Sequence, residues 1–272
     1  MCNTAQQRSQ LEYLRVTEQT LISSVDLSQD ELAFIMTLFS LSEIGGFAVP
    51  ATFDDARAVA AGDSLIARGL TSFDENTPAI SADVVRLVTA GASYSAALGI
   101  SQQPNGTTER FWCYYQPDQI VLHNRATPNV EHFELIENPI ALSAKLTTLI
   151  NATTLGTPDG AAFFIPKAVL ARAEQTRALN GARAAQDALR DLGYPDSFAV
   201  NVLVETRQIV AVVIHLQELD GQFQAETRTI MLIRAAQGYW LLEEDSVNPD
   251  QLSAQPVDAN AAIRHLIESI QL

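Results

Sequence analysis

The chain has 272 residues, room for one large domain or two small ones. With 47% hydrophobic residues it can remove about 75% of its unfolded surface from water, which excludes a disordered chain. The 17 basic and 32 acidic residues leave a net charge of −15, which disfavours phosphate backbones and anionic membranes as partners. Only Lys145 and Lys167 are lysines, so the basic minority is mostly arginine, suited to local ion pairs.

In chain order, the polar start MCNTAQQRSQ lacks an apolar h-region, and no stretch reaches the length of a membrane span. Cys2 and Cys113 are too few for a disulfide framework or a thiolate metal cage. A soluble, cytoplasmic protein is expected. Ser28 and Glu31 form a capping-box signal before the apolar stripe Leu32, Ile35, Met36 and Phe39, predicting a helix. Thr52 with Asp55 starts a second helix that Gly69 stops, and Ser81 caps a third through about Thr89. Three short helices with tight connections resemble a helix-turn-helix, giving a winged-helix-like N-terminal unit. From Ser93 the period changes to two, with strands in RFWCYY and IVLHN around the turn at Pro117-Asp118. Pro139 opens a helix carrying Leu142, Leu146, Leu149 and Ile150. NATTLGTPDG (Asn151 to Gly160) reads as linker. A single long helix is expected from Pro166 to about Leu192, then two strands within Phe198 to Leu219. Further strands are expected at Thr227 to Arg234 and Tyr239 to Glu243, and a final helix from Ala259 to Ile270.

The two halves look alike. TERFWCYYQPDQIVLHN and RTIMLIRAAQGYWLLEE each read as strand, turn and strand, with Phe111 falling on Ile230 and Ile120 on Tyr239 at one offset of 119. Each is followed by an irregular stretch and an amphipathic helix, ALSAKLTTLI and AAIRHLIESI. The expected fold is α+β, with two quasi-symmetric subdomains, each an antiparallel β-meander with packing helices. The expected boundaries are 1–150 for the first, 151–165 for the linker and 166–272 for the second.

Chemistry is sparse. The histidines are His123, His132, His215 and His265, and none is paired at i and i+4 on a helix. His123 and His132 lie near Glu131 and Glu134, a loose cluster without zinc-site spacing. His215 sits in an alternating strand as a sheet histidine. There is no G-x-S-x-G elbow, phosphate-binding loop or dinucleotide fingerprint, and Cys113 within FWCYY reads as a buried hydrophobe. Residues 28–90 carry three basic groups, Arg57, Arg68 and Arg86, against nine acids, a poor match for a duplex. On one continuous helix Arg172, Arg183 and Arg190 share a face opposite Ala178, Ala182, Ala185 and Leu189, either a solvated face or a dock for an acidic partner. Alternation puts Trp112 and Tyr114 on one sheet face and Tyr115 on the other. Tyr239 and Trp240 occupy the matching strand pair, and all five read as core unless one faces outward as a binding hot spot.

This layout resembles the EspG-type chaperones of type VII (ESX) secretion systems. The matching stretches are LSQDELAFIMTLFSL, ARAVAAGDSLIARGL (Ala56 to Leu70) of the form ARxxxAxxxLxARGL, and the meander with closing helix in each half. The resemblance spans roughly Leu27 to Ile150 and Ser197 to Ile270 and lies in layout rather than in a chemical signature. It implies a non-enzymatic cytosolic binder of a helical secretion substrate, and it transfers no residue-level contact. The expected function is therefore a protein-binding adaptor or secretion chaperone-like protein with a helical partner and no nucleic acid or membrane. No catalytic, cofactor-binding or metal-ligating residues are assigned, and no cofactor is expected. The alternatives are a winged-helix ligand-responsive regulator and a hydrolase-type enzyme using Glu131, His132 or His123.

Overall fold

The Ser28 hydroxyl accepts from the Glu31 backbone N–H at 3.2 Å while the Glu31 carboxylate accepts from the Ser28 N–H at 2.8 Å, so the expected capping box forms. It sets the junction between strand β1 (Ser24–Ser28) and helix α1 (Gln29–Leu38) in the computed structural model, which describes residues 22–74, 77–152, 156–219 and 222–271. Cys2, the polar N-terminal segment and 153–155 of the expected linker lie outside the described residues.

After α1 come the hairpin β2 (Glu43–Ile44) and β3 (Phe47–Ala48), helix α2 (Asp55–Ala67), the hairpin β4 (Thr71–Asp74) and β5 (Thr77–Ile80), and helix α3 (Ala82–Ser93). The connections between these helices are thus small hairpins, where a helix-turn-helix has a bare turn of about 3–4 residues. The cap of α2 is Asp54, whose carboxylate accepts from the Arg57 N–H at 3.0 Å. Strands β6 (Ala96–Gln102), β7 (Glu109–Gln116), β8 (Gln119–Thr127) and β9 (Val130–Ile136) precede helix α4 (Pro139–Leu149). The second half opens on β10 (Phe163–Pro166), and the expected long helix is two, α5 (Lys167–Asn180) and α6 (Ala182–Asp191). Gly181 between them has φ +87°, a left-handed conformation that ends one helix and redirects the next. Short helix α7 (Asp196–Ala199) and one long strand, β11 (Gln208–Leu219), replace the two strands expected between Phe198 and Leu219. Pro195 precedes that helix, and Phe198 within it and Val202 just after it enter the core. The chain ends with β12 (Gln222–Arg234), β13 (Tyr239–Glu244), β14 (Gln251–Val257) and helix α8 (Ala259–Glu268).

Two units result. The first comprises residues up to Ser95 together with Phe111–Glu137, the second Ala96–Arg110 together with Asn138–Leu272. In the first, the antiparallel order is β1-β9-β8-β7. One face carries Val25, Leu27, Val121, Phe133 and Tyr114, all buried, with buried Leu32, Ile35 and Met36 supplied by α1. In the second, the order is β6-β11-β12-β13-β14-β10, also antiparallel. One face of β12 and β13 bears Ile230, Leu232, Tyr239 and Leu241, and the neighbouring helices α4 and α8 pack together. On the other face Ile233, Trp240, Leu242 and Ala254 join Ala173 of α5, Ala185 and Leu189 of α6, and Phe198 of α7 in one hydrophobic cluster.

The hairpins β7–β8 and β12–β13 share one register. Phe111 pairs with Asn124 and Tyr115 with Ile120; adding 119 to each residue gives Ile230 with Glu243 and Arg234 with Tyr239, the pairs that occur. The same order surrounds each hairpin. A short edge strand running directly into a helix, β1 into α1 or β10 into α5, pairs antiparallel with the last strand of its meander, β9 or β14. The closing helices are capped alike: Asn138 accepts from the Ala141 N–H at 2.9 Å and Asp258 from the Ala261 N–H at 2.7 Å. The stretches expected to be irregular contain β9 and β14, whose polar alternation hid two strands.

Candidate functional site

Alternation along β9 sends Glu131 and Phe133 to one face of the first sheet and His132 and Glu134 to the other. The sequence cluster is therefore divided. His132 Nδ1 lies 2.6 Å from Asp26 Oδ1, and its Nε2 3.7 Å from Glu134. His123 and Glu131 are instead buried together on the helix-covered face. His123 Nε2 donates to Glu131 Oε2 at 3.2 Å, which leaves Nδ1 to accept from the Tyr114 hydroxyl at 3.1 Å. The second Glu131 oxygen accepts from Arg125 Nε at 2.8 Å, and the His123 ring stacks on Phe133 with centroids 4.2 Å apart. The chain Tyr114–His123–Glu131–Arg125 resembles an acid-base relay on paper. Its inner members, however, are sealed from solvent: Tyr114 is 1% and His123 2% exposed, with Gly45 packed against both. Among the described residues no group of three His, Cys, Asp or Glu side chains is arranged to hold a metal ion.

Burial pushes the Glu131 carboxyl up, but the hydrogen bonds from His123 and Arg125 and the Arg125 charge outweigh it and hold the group below the usual carboxylate range. A carboxyl depressed in the folded state supplies stability above its unfolded value of about 4.3 and loses it as pH falls through the lower folded value. Glu131→Gln should cost about 2 kcal/mol at pH 7, because His123 and Arg125 lose a charged acceptor. It should also flatten the loss of stability below about pH 4. Urea unfolding of both proteins from pH 7 to pH 3 checks the pair.

The remaining candidates are structural. Cys113 is 1% exposed and burial pushes its thiol up to about 12, so it is an inert hydrophobe. Trp112 stacks beside Tyr114 at 6.4 Å, as alternation required, while Tyr239 and Trp240 are fully buried core. His215 Nε2 donates to the Ser269 carbonyl at 2.7 Å. His265 of α8 lies 2.9 Å from Glu243, which also pairs with Arg228 at 2.8 Å. Burial of Glu243 raises its pKa, yet the hydrogen bonds from His265 and Arg228 and the Arg228 charge hold it below its ordinary value.

The charged surfaces are also accounted for. Of residues 28–90, Arg57 pairs with Asp30, Arg68 with buried Glu31 at 2.7 Å and Arg86 with Asp83 at 3.1 Å, so the three basic side chains are engaged with acids. The break at Gly181 removes the shared phase of Arg172 with Arg183 and Arg190. Arg183 and Arg190 both reach Asp187, and Arg190 also binds Asp196. Ala178 and Ala182, expected on the buried side, are exposed, whereas Ala185 and Leu189 are buried.

What periodicity did not single out is a sheet face in the second unit. Along β11, Ile209, Ala211 and Val213 are buried, whereas Val210, Val212, Ile214 and Leu216 on the opposite face are only half-buried. Their partners on β12 continue that face with Met231, Thr229, Thr227 and Ala225, and Phe223 beside them is 54% exposed. The four aliphatic side chains form a row about 20 Å long, the length of a helix of about 13 residues. An alternating strand has one solvated face by default; a branched aliphatic at each of the four central positions of this face, Val210 to Leu216, is the signal that could have marked it.

No protein-family model matches the sequence, and no curated protein matches it. Among solved structures the chain is similar to the Mycobacterium tuberculosis type VII secretion system chaperone EspG5, determined in complex with a PE25-PPE41 dimer. The TM-score is 0.65, over 91% of this chain and 95% of that chain, at 11% sequence identity. The chain has an α+β fold of the kind seen in that secretion chaperone.

Proposed function

We propose that this protein is a non-enzymatic, chaperone-like adaptor that acts in the cytoplasm and binds a helical segment of another protein. Its likeness in fold to a chaperone solved with its protein partner supports a binding role. Among the described residues no helix is long and apolar enough to cross a membrane. The observation that carries the reading is the half-buried aliphatic row of β11, a face that removes apolar area from water only when something covers it. The complementary partner is an amphipathic helix whose apolar stripe is flanked by lysine or arginine, because the chain is strongly acidic and Glu218 stands at the end of the row. We also read the chain as two copies of one module, 1–150 and 166–272 around a linker at 151–165. The common hairpin register, edge-strand-to-helix order and matching caps support this.

Co-expression with small helical proteins encoded nearby should yield a stoichiometric complex. Val212→Glu with Ile214→Glu should weaken it by about 3 kcal/mol, more than a hundredfold, because two buried aliphatics are lost and charge enters an apolar contact. Circular dichroism should show the double variant folded, since both positions are only half-buried and lie outside the core. A complex that binds the double variant as well as the original protein, or no complex with any such protein, would overturn the reading.

A further inference from the structure

The ladder between β11 and β12 runs through twelve pairs without a register shift, from Gln208↔Ile233 to Leu219↔Gln222. The ladder between β12 and β13 begins only at Ile230↔Glu243. Residues Gln222–Thr229 therefore pair on one edge, and among the described residues no strand pairs with the other. All eight are exposed. At about 3.4 Å per residue this leaves roughly 27 Å of strand with an open row of N–H and C=O groups. Edges meant to stay solitary are usually broken by proline, lysine or a bulge; QFQAETRT contains neither residue and its ladder has no bulge.

We propose that this edge of β12 is a two-fold symmetric pairing site, occupied by the same edge of a second copy of the chain. Charge favours that occupant. Two copies, each at −15, repel across most of their surfaces, but this segment holds one acid, Glu226, and one base, Arg228, and is neutral. Antiparallel pairing centred on Ala225 sets Phe223 opposite Thr227, Gln224 opposite Glu226 and Gln222 opposite Arg228 of the other copy. No like charges face each other, and each Phe223, half exposed in the single chain, gains a cross-strand neighbour. Because the operator is two-fold, each contact occurs twice and the assembly closes at a dimer. The contact uses the backbone edge and does not rest on the functional reading of the β11 face.

The test uses the full chain with Cys2→Ser, leaving only buried Cys113 as a native thiol. Light scattering at about 100 µM should give twice the mass of one chain, and Phe223→Lys should return it to one. Ala225→Cys sits on the two-fold axis, where an antiparallel pair places Cα atoms about 4.5–5.5 Å apart, within disulfide reach. Under mild oxidation it should form a covalent dimer at least tenfold faster than Thr229→Cys, whose nearest counterpart lies several residues away. A single-chain mass at that concentration, or equal cross-linking of the two cysteine variants, would overturn the proposal. If the Val212→Glu, Ile214→Glu variant stays dimeric while losing its helical partner, the two sites are separate.

Discussion

Gly45→Ala is expected to destabilise the first unit by about 3 kcal/mol, the sum of a left-handed backbone cost and a steric one. Gly45 has φ +52° in the turn between β2 and β3, a conformation that a Cβ disfavours. The larger part comes from what lies beneath. A Cβ there would fall 2.6 Å from His123 Nδ1, closer still to the Tyr114 hydroxyl, and 2.9 Å from Trp112 Cδ1. These are parts of a hydrogen-bonded, stacked group fixed by Glu131 and Phe133, so none yields without breaking another contact. Gly46 is the control: its φ is +75°, but nothing lies within 4 Å of an added Cβ, so Gly46→Ala should cost only about 1–2 kcal/mol. Urea unfolding followed by tryptophan fluorescence in a Trp240→Phe background, where Trp112 alone reports, measures both. Equal costs at the two glycines would show that the Tyr114–His123 packing contributes nothing.

In the second unit the largest expected effect is from Trp240→Ala, about 4 kcal/mol. Trp240 is fully buried, with its ring centroid 5.3 Å from Phe163 and 5.8 Å from Phe198, and its Nε1 donates to the Ser197 hydroxyl at 3.2 Å. Those neighbours come from β10 and α7, which meet β13 in one buried cluster, so removing the ring leaves a cavity lined by several elements. Trp240→Phe keeps most of the apolar volume and loses the Ser197 bond, and should cost about 2 kcal/mol. Thermal melts followed by circular dichroism at 222 nm distinguish the two. An alanine variant within 1 kcal/mol of the phenylalanine one, about the cost of a single hydrogen bond, would contradict a tightly packed cluster.

The buried polar chain of the first unit shows why a catalytic-looking set need not be an active site. Tyr114, His123 and Glu131 satisfy one another, and only Arg125, half exposed at the end of the chain, meets water. A reacting group needs access as well as geometry. The half-buried aliphatic row of β11 is the reverse case, with partial solvent access and no ionisable side chain among its four residues.

The sequence by itself determined the elements whose signals are local. The Ser28–Glu31 box, the Pro139 helix start, the apolar spacing of the first helix and the turn between β7 and β8 each depend on residues within one turn or one hairpin, so they could be read in order. The offset of 119 was also legible, because hairpin register follows from a short connection. Tertiary structure alone decided the rest. Strands β1, β9, β10 and β14 are short or alternate with polar residues, and they become strands because a neighbouring edge satisfies their backbone groups. The sequence cluster around His123 and His132 was divided because successive strand residues point to opposite faces of the sheet. The polar arm QFQAETRT is extended only because β11 beside it is extended. Backbone pairing between distant segments leaves little trace in side-chain pattern, and the open row and open edge that suggest function arise from that pairing.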